Sequence, residues 1–193
     1  MSVLIFDLWN TLGTRPSFAL ALRKHFALPG FLFSKLYEQT LQTRQFLDLE
    51  SFATYFLSVF SLPKTQENIS QVIKLHHHSL QQAVPFKGMK ELLEELSNRF
   101  TLVVLSNSSS FCAEVLKQWE FDQFFTKTFF SFQTGLLKPD PQAFLTVCTS
   151  LNVEPSLCLF IDDLQENVLA ARVLGMQSIQ FESVDTLRSF FHL

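Results

Sequence analysis

Three uninterrupted apolar runs mark the chain, and each stops on polar residues. Val3-Leu4-Ile5-Phe6 stops at Asp7, Leu102-Val103-Val104-Leu105 at Ser106-Asn107, and Leu157-Cys158-Leu159-Phe160-Ile161 at Asp162-Asp163. None of the runs alternates apolar with polar, so each reads as a strand buried on both faces, the habit of parallel sheets covered by helices. Ligands of such sheets bind beyond the carboxyl ends of the strands. Asp7, Ser106, Asn107, Asp162 and Asp163 are therefore expected at one edge. Carboxylates gathered there suppress one another's ionisation unless a cation lies among them, and hard oxygen ligands suit magnesium.

Between the first and second runs the pattern changes. Residues 17–83 hold no buried-strand run, only helical spacing. Phe18, Leu22 and Phe26 share one face, Phe31, Leu32, Leu36 and Leu41 suggest a second helix, Phe52, Phe56, Val59 and Phe60 a third, and Ile69, Val72, Ile73 and Leu80 a fourth. Pro29-Gly30 and Leu62-Pro63 separate them. The reading is a helical insert, 17–83, in a core made of 1–16 and 84–193. After the insert, helices are expected over 89–98 and 108–119, the second with Ser108 as N-cap. A short strand follows over 127–132. Asp140-Pro141 opens a helix that runs to about residue 151. A helix over 166–174 stops at Gly175, before an edge strand over 177–181 and a closing helix over 184–191. Strands alternating with helices predict an α/β fold with a doubly wound parallel sheet.

Composition narrows the class. A chain of 193 residues with 47% hydrophobic residues buries a full core. A formal charge of −3 gives no reason to expect nucleic acid or an anionic membrane surface as a partner. Cys112, Cys148 and Cys158 are scattered, without zinc-like spacing, and suggest reduced thiols. The N-terminal run breaks too early for a signal peptide, and no run approaches the length of a membrane span. A cytoplasmic protein is the expectation. The 23 Phe against 5 Gly point to core filling by large rings and to no function. His76-His77-His78 reads as the solvated end of the fourth helix; consecutive histidines face different directions and make a poor metal site.

Four motifs, in order, resemble the haloacid dehalogenase-like superfamily of hydrolases: Phe6-Asp7-Leu8-Trp9-Asn10-Thr11-Leu12, Leu105-Ser106-Asn107-Ser108, Gly135-Leu136-Leu137-Lys138-Pro139-Asp140-Pro141, and Phe160-Ile161-Asp162-Asp163 with Asn167-Val168 and Ala170-Ala171. The insert sits where that family carries a mobile cap. The resemblance implies that Asp7 is the nucleophile, that Lys138 supplies a point charge to the transferring group, and that Ser106 and Asn107 bind substrate. Backbone N–H groups after Ser106 are expected to open a helix and cradle an anion. The implied magnesium ligands are Asp7, the Trp9 backbone carbonyl and Asp163, with Asp162 ranked behind them because its position is often Gly.

One position departs. Phosphatases of this family carry a second Asp two residues after the nucleophile, to protonate the leaving group and then activate water. This chain has Trp9, which cannot move a proton, and such help is worth about 10²–10⁴-fold. The expected function is a magnesium-dependent phosphatase on a small phosphomonoester through a phospho-Asp7 intermediate, slow or relying on a substrate or cap group for the proton. Two rivals share Trp9: dehalogenation through an Asp7 ester, against which Asp163 stands, and a non-catalytic module that holds a phosphorylated metabolite or protein. Arg15, Arg23, Lys24, His25 and Arg44 are the candidate specificity residues of the insert. Oligomeric state and substrate identity are not written in the sequence.

Overall fold

The structure, a computed structural model, describes residues 2–193, with Phe31 described by its backbone alone. Strands β1 (Val3–Phe6) and β2 (Gly13–Thr14) lead into helices α1 (Phe18–His25), α2 (Gly30–Leu41), α3 (Leu49–Val59) and α4 (Gln66–Gln81). Then follow β3 (Val84–Pro85), α5 (Met89–Ser97), β4 (Thr101–Ser106), the single turn α6 (Val115–Gln118), β5 (Lys127–Phe130) and the single turn α7 (Ser131–Thr134). The chain closes with α8 (Pro141–Leu151), β6 (Cys158–Asp162), α9 (Gln165–Val173), β7 (Gln177–Gln180) and α10 (Val184–Phe191).

The main sheet has the order β5-β4-β1-β6-β7, and every neighbouring pair is parallel. Alternation within the apolar runs splits their side chains between two cores. Leu4, Phe6, Leu102, Val104, Leu159 and Ile161 pack with Leu92 and Leu96 of α5 and Leu187 and Phe191 of α10. Val3, Ile5, Val103, Leu105, Cys158 and Phe160 pack with Phe144 and Val147 of α8 and Ala171 of α9. The sheet is thus covered on both faces, which is why its strands read as unbroken apolar runs. The expected α/β doubly wound fold is the one observed.

Register places the site. Phe6 lies opposite Val104 of β4 and Ile161 of β6, so the ends of the three central strands are level. The Asp7 N–H donates to the Ile161 carbonyl at 2.9 Å, which holds the residue after β1 beside the end of β6.

Helices α1 to α4 gather around a third core of their own, built on Phe18, Leu22, Phe33, Tyr37, Phe52, Phe56 and Val72. Two details of the expected helices change. In α2 the buried face is Phe33, Tyr37 and Leu41, while Leu32 is exposed; the side chain of Phe31, named above for that face, lies outside the described residues. In α4, His76 is not a solvated end: the helix runs on to Gln81, and His76 is buried with its ring edge-on to Phe18. The insert joins the rest through β2 and β3, a two-stranded antiparallel ribbon pairing Gly13 with Pro85 and Thr14 with Val84.

The helix expected over 108–119 forms only over Val115–Gln118. Serine hydroxyls compete locally with helical hydrogen bonds, and here the three serines are engaged in bonds that a helix would not make. The Ser108 N–H donates to Ser131 Oγ, Ser109 Oγ meets Cys112 Sγ, and Ser110 Oγ donates to the Arg44 carbonyl. No helix opens directly after Ser106, so the expected helical anion cradle there is absent. The expected strand over 127–132 ends at Phe130 and turns into α7. Among the described residues no helix is long and apolar enough to cross a membrane, and all three cysteines are free and buried.

Candidate active site

Lys138 is the centre of the strand-end cluster. Its Nζ donates to Asp7 Oδ1 and to Asp162 Oδ2, each at 2.6 Å, and all three side chains are buried. Lys138 arrives on the loop after α7 and is fixed at its backbone by Asn107. The Asn107 side-chain amide donates to the Lys138 carbonyl and accepts from the Lys138 N–H, both at 2.9 Å. The Asn107 side chain, expected on substrate, is therefore engaged in holding the lysine.

Asp162 is fully buried and fully partnered. Besides Lys138, its oxygens accept from the Asn167 amide at 3.0 and 3.1 Å and from the Leu164 N–H at 2.8 Å. The Asn167 amide thus braces Asp162. Asp163 points differently: it is partly exposed, and its Oδ2 is 3.4 Å from the Asn10 amide. Asn10 has a φ of 61°, a left-handed turn conformation that asparagine tolerates, and this turn carries the chain from Asp7 past Trp9 to β2. Ser106, at the end of β4, is buried with its Oγ 3.1 Å from Ser108 Oγ.

The charges are unbalanced. Three carboxylates share one ammonium in a small cavity of about 150 Å³ lined by Asp7, Trp9, Asn10, Ser106, Asn107, Lys138, Asp162, Asp163, Leu164 and Asn167. The Asp7 carboxyl is raised to about 6, by burial first of all, with Lys138 pulling it down and Asp162 pushing it up. Burial and the charge of Asp162 raise Asp163. Burial alone would lower the Lys138 ammonium, but Asp7 and Asp162 outweigh it and lift it above the ordinary lysine value. Surplus negative charge among hard oxygens fits a divalent cation. Among the described residues no three His, Cys, Asp or Glu converge as a ready ligand set. A cation here would thus draw on Asp7 and Asp163 together with carbonyl and water oxygens, and the residues present fit that.

Trp9 forms part of the cavity wall. Its indole meets Trp119 edge-on at 6.0 Å, and the Arg15 guanidinium stacks over it at 4.0 Å. Of the specificity candidates, Arg15, just before the insert, comes this close. Arg44 lies over Tyr55, and His25 packs on Phe26. Nothing in the apolar spacing marked Glu38. On α2 it lines, with Lys35, Gln39, Thr43 and the 135–140 loop, a second cleft of about 470 Å³, and Lys138 borders both cavities. Nothing distinguishes Glu38 from any solvated helical glutamate until the chain is folded.

The parallel sheet brings paired carboxylates to its central strand ends and the loop after α7 sets a lysine between them, a site chemistry suited to nucleophilic group transfer. A model of the haloacid dehalogenase-like hydrolase family matches residues 4–181, and the chain belongs to that family. Flavin mononucleotide hydrolase 1 of Arabidopsis thaliana is 36% identical over 101 residues, 52% of this chain and 41% of that protein. A probable phosphoglycolate phosphatase of Pseudomonas putida is 26% identical over 116 residues, 59% of this chain and 46% of that one. The chain matches less than half the length of either. A haloacid dehalogenase family enzyme of Bacteroides thetaiotaomicron, crystallised as a magnesium complex, superposes with a TM-score of 0.76 at 19% identity, over 100% of this chain and 99% of that one; this likeness is one of fold.

Proposed function

We propose that the chain is a magnesium-dependent phosphatase acting on a small phosphomonoester through a phospho-Asp7 intermediate. The observation that carries the reading is the Lys138 ammonium held between Asp7 and Asp162, with Asp163 beside them on the open side. Lys138 keeps Asp7 ionised and orients one of its oxygens, leaving the other to attack phosphorus. Ser106 and the Lys138 ammonium would meet the equatorial oxygens of the phosphoryl group, where charge builds in transfer. Asn107 and Asn167 act one layer out: the first fixes the backbone of Lys138, the second the carboxylate of Asp162. Magnesium, held by Asp7, the Trp9 carbonyl, Asp163 and waters, would neutralise the charge of the bound phosphate. The cavity of about 150 Å³ suits a phosphoryl group and little more, since each water takes about 30 Å³ of liquid volume. Residues 17–83 would act as a cap over this cavity, hinged at β2 and β3. Both curated relatives are named for phosphate esters, which supports the same reading.

The test is covalent trapping. With magnesium and an activated phosphate ester, phosphate should be found on Asp7 by mass spectrometry of acid-quenched protein. Asp7→Asn should leave the fold intact and bring turnover below detection. Near-normal turnover in Asp7→Asn, or full activity in excess chelator, would overturn the proposal.

A further inference from the structure

Arg15 is a cation without a counter-ion. Among the described residues the ion pairs are made by Lys90, Lys138 and Arg188, and none by Arg15. Its Nη2 donates to the Cys112 sulfur at 3.2 Å, a weak acceptor. Its Nη1 and the Trp9 Nε1 are buried and have no hydrogen-bond partner. A buried donor left without an acceptor costs about 1–3 kcal/mol, and more where it carries charge. Native proteins keep few such groups, and each needs an explanation. Here two of them lie on side chains that touch, the guanidinium stacked over the indole at 4.0 Å.

The place of this pair is fixed from three sides. Trp9 walls the Asp7 cavity and belongs to the turn that follows Asp7. Cys112 belongs to the segment that leaves the same cavity at Ser106 and Asn107, and its sulfur is 3.1 Å from Ser109 Oγ. The Arg15 guanidinium is thus held by two chain segments that both carry cavity-lining residues. On the third side is the insert. Tyr37 of α2 and His76 of α4, both buried, are near enough to feel the guanidinium charge. None of these neighbours is a carboxylate. The joint between insert and core therefore holds unpartnered donors and a lone positive charge. Beside it lies a cavity of about 150 Å³ that takes a phosphoryl group and little more.

We infer that the substrate is a phosphorylated carboxylic acid, a phosphomonoester whose alcohol part carries a carboxylate, and that Arg15 with the Trp9 Nε1 receives that carboxylate. The inference rests on the phosphatase reading above. A carboxylate has two oxygens for two donors, and a guanidinium matches its planar geometry. With the guanidinium carbon 4.0 Å over the indole, one carboxylate can reach both donors. A second phosphate fits less well, because a dianion beside three carboxylates asks for more positive charge than one arginine supplies. The acids of the Asp7 cavity and the bound phosphate repel any further anion, and Arg15 gives it a counter-ion apart from Lys138. Arg15 directly follows β2, so a swing of the insert on its ribbon uncovers Nη1 for the incoming acid and closes it again over the bound one. Trp9 thereby has a task that an acidic residue at its position could not perform, since a carboxylate there would repel that of the substrate.

The experiment is steady-state kinetics of the full chain with magnesium on short ω-phosphonooxy acids of increasing length. Each acid is paired with its carboxamide, and p-nitrophenyl phosphate serves as the reference ester without a carboxylate. At the length that fits, kcat/KM should be about 10–10²-fold higher for the acid than for the amide, mostly through KM. Arg15→Met should bring that ratio close to one, and Arg15→Lys should keep part of it. Trp9→Phe, which keeps a ring and loses the N–H, should lower it severalfold. A role in packing alone would slow acid and amide alike, so an unchanged ratio in Arg15→Met overturns the inference even if both rates fall. If Arg15→Met does not fold, Arg15→Lys and Trp9→Phe decide by the same ratio. A ratio near one in the parent at every length also overturns it, and leaves the phosphatase reading standing where p-nitrophenyl phosphate is turned over. If the parent turns over none of these esters, the phosphatase reading falls, and the inference with it.

Discussion

Asp162 and Asp163 are adjacent and identical in type, yet the fold gives them opposite tasks. Asp162 is the last residue of β6, so its side chain turns inward to Lys138 and Asn167. Asp163 is the first residue beyond the strand and looks toward Asn10 at the open side of the cavity. Asp162→Ala should cost about 3 kcal/mol, because it leaves a buried ammonium with one partner where it had two and strands the Asn167 amide. Asp163→Ala should leave the melting temperature nearly unchanged and weaken magnesium binding. Calorimetry of unfolding and titration with magnesium, run on both variants, separate the two effects. Equal loss of magnesium affinity in both would contradict the assignment.

At the scale of elements, the β2–β3 ribbon is the narrowest part of the chain path. Gly13 lies where a Cβ would come within 2.4 Å of the Trp119 ring, 2.5 Å of the Val84 carbonyl and 2.8 Å of the Pro85 Cα. Only glycine lets the two hinge strands and the indole meet there. Gly13→Ala should destabilise the protein by about 1–3 kcal/mol, the usual cost of overpacking. It should also disturb the placement of Trp9, which pairs with Trp119. Thermal unfolding measures the first effect and tryptophan emission the second, since the chain has 2 Trp in all. A variant with unchanged melting and emission would show that the ribbon yields easily. The helices were mostly legible from spacing and caps: Asp140-Pro141, Gly175 and the run over 184–191 act through local backbone chemistry that needs no partner. The failed helix over 108–119 had sound apolar spacing, but its serines found partners on α7 and on the loop after α2, which no local rule could anticipate.

At the scale of the molecule, the insert is tied to the core by more than its ribbon. Phe111, on the irregular segment after β4, packs into the third core against Phe52 and His76. Ser110 Oγ, on the same segment, accepts from the Phe46 N–H at 3.0 Å. His76 sits at this joint with both ring nitrogens buried and without partners. Burial, with the charge of Arg15 next, lowers its pKa from 6.5 to about 4. The folded state thus resists a proton that the unfolded chain accepts below 6.5. The stability this group contributes is full above that pH and is lost progressively as pH falls toward about 4. His76→Leu should remove that loss and raise the melting temperature, more at pH 5 than at pH 8, because it also replaces two unsatisfied polar atoms. Melting curves at both values decide it; an equal shift at the two would mean that the ring titrates as freely in the folded protein as in the unfolded one.

The sequence by itself determined the sheet, its two faces, the place of the insert and the level at which Asp7, Ser106, Asp162 and Asp163 leave their strands. Buried strands need unbroken apolar runs, and a parallel register carries their ends to one edge. It also set Trp9 two residues after Asp7, where the family resemblance leads one to expect a carboxylate. Only the tertiary structure decided which groups within that edge are free. It turned Asn107 from a substrate ligand into a clamp on Lys138, closed Asp162 off and left Asp163 open, and sank His76 among aromatic rings. It also brought Glu38, 100 residues before Lys138 in the chain, to the cleft that Lys138 shares. Strand patterns are local consequences of burial, whereas the partner of a polar side chain is set by whatever the fold carries up to it.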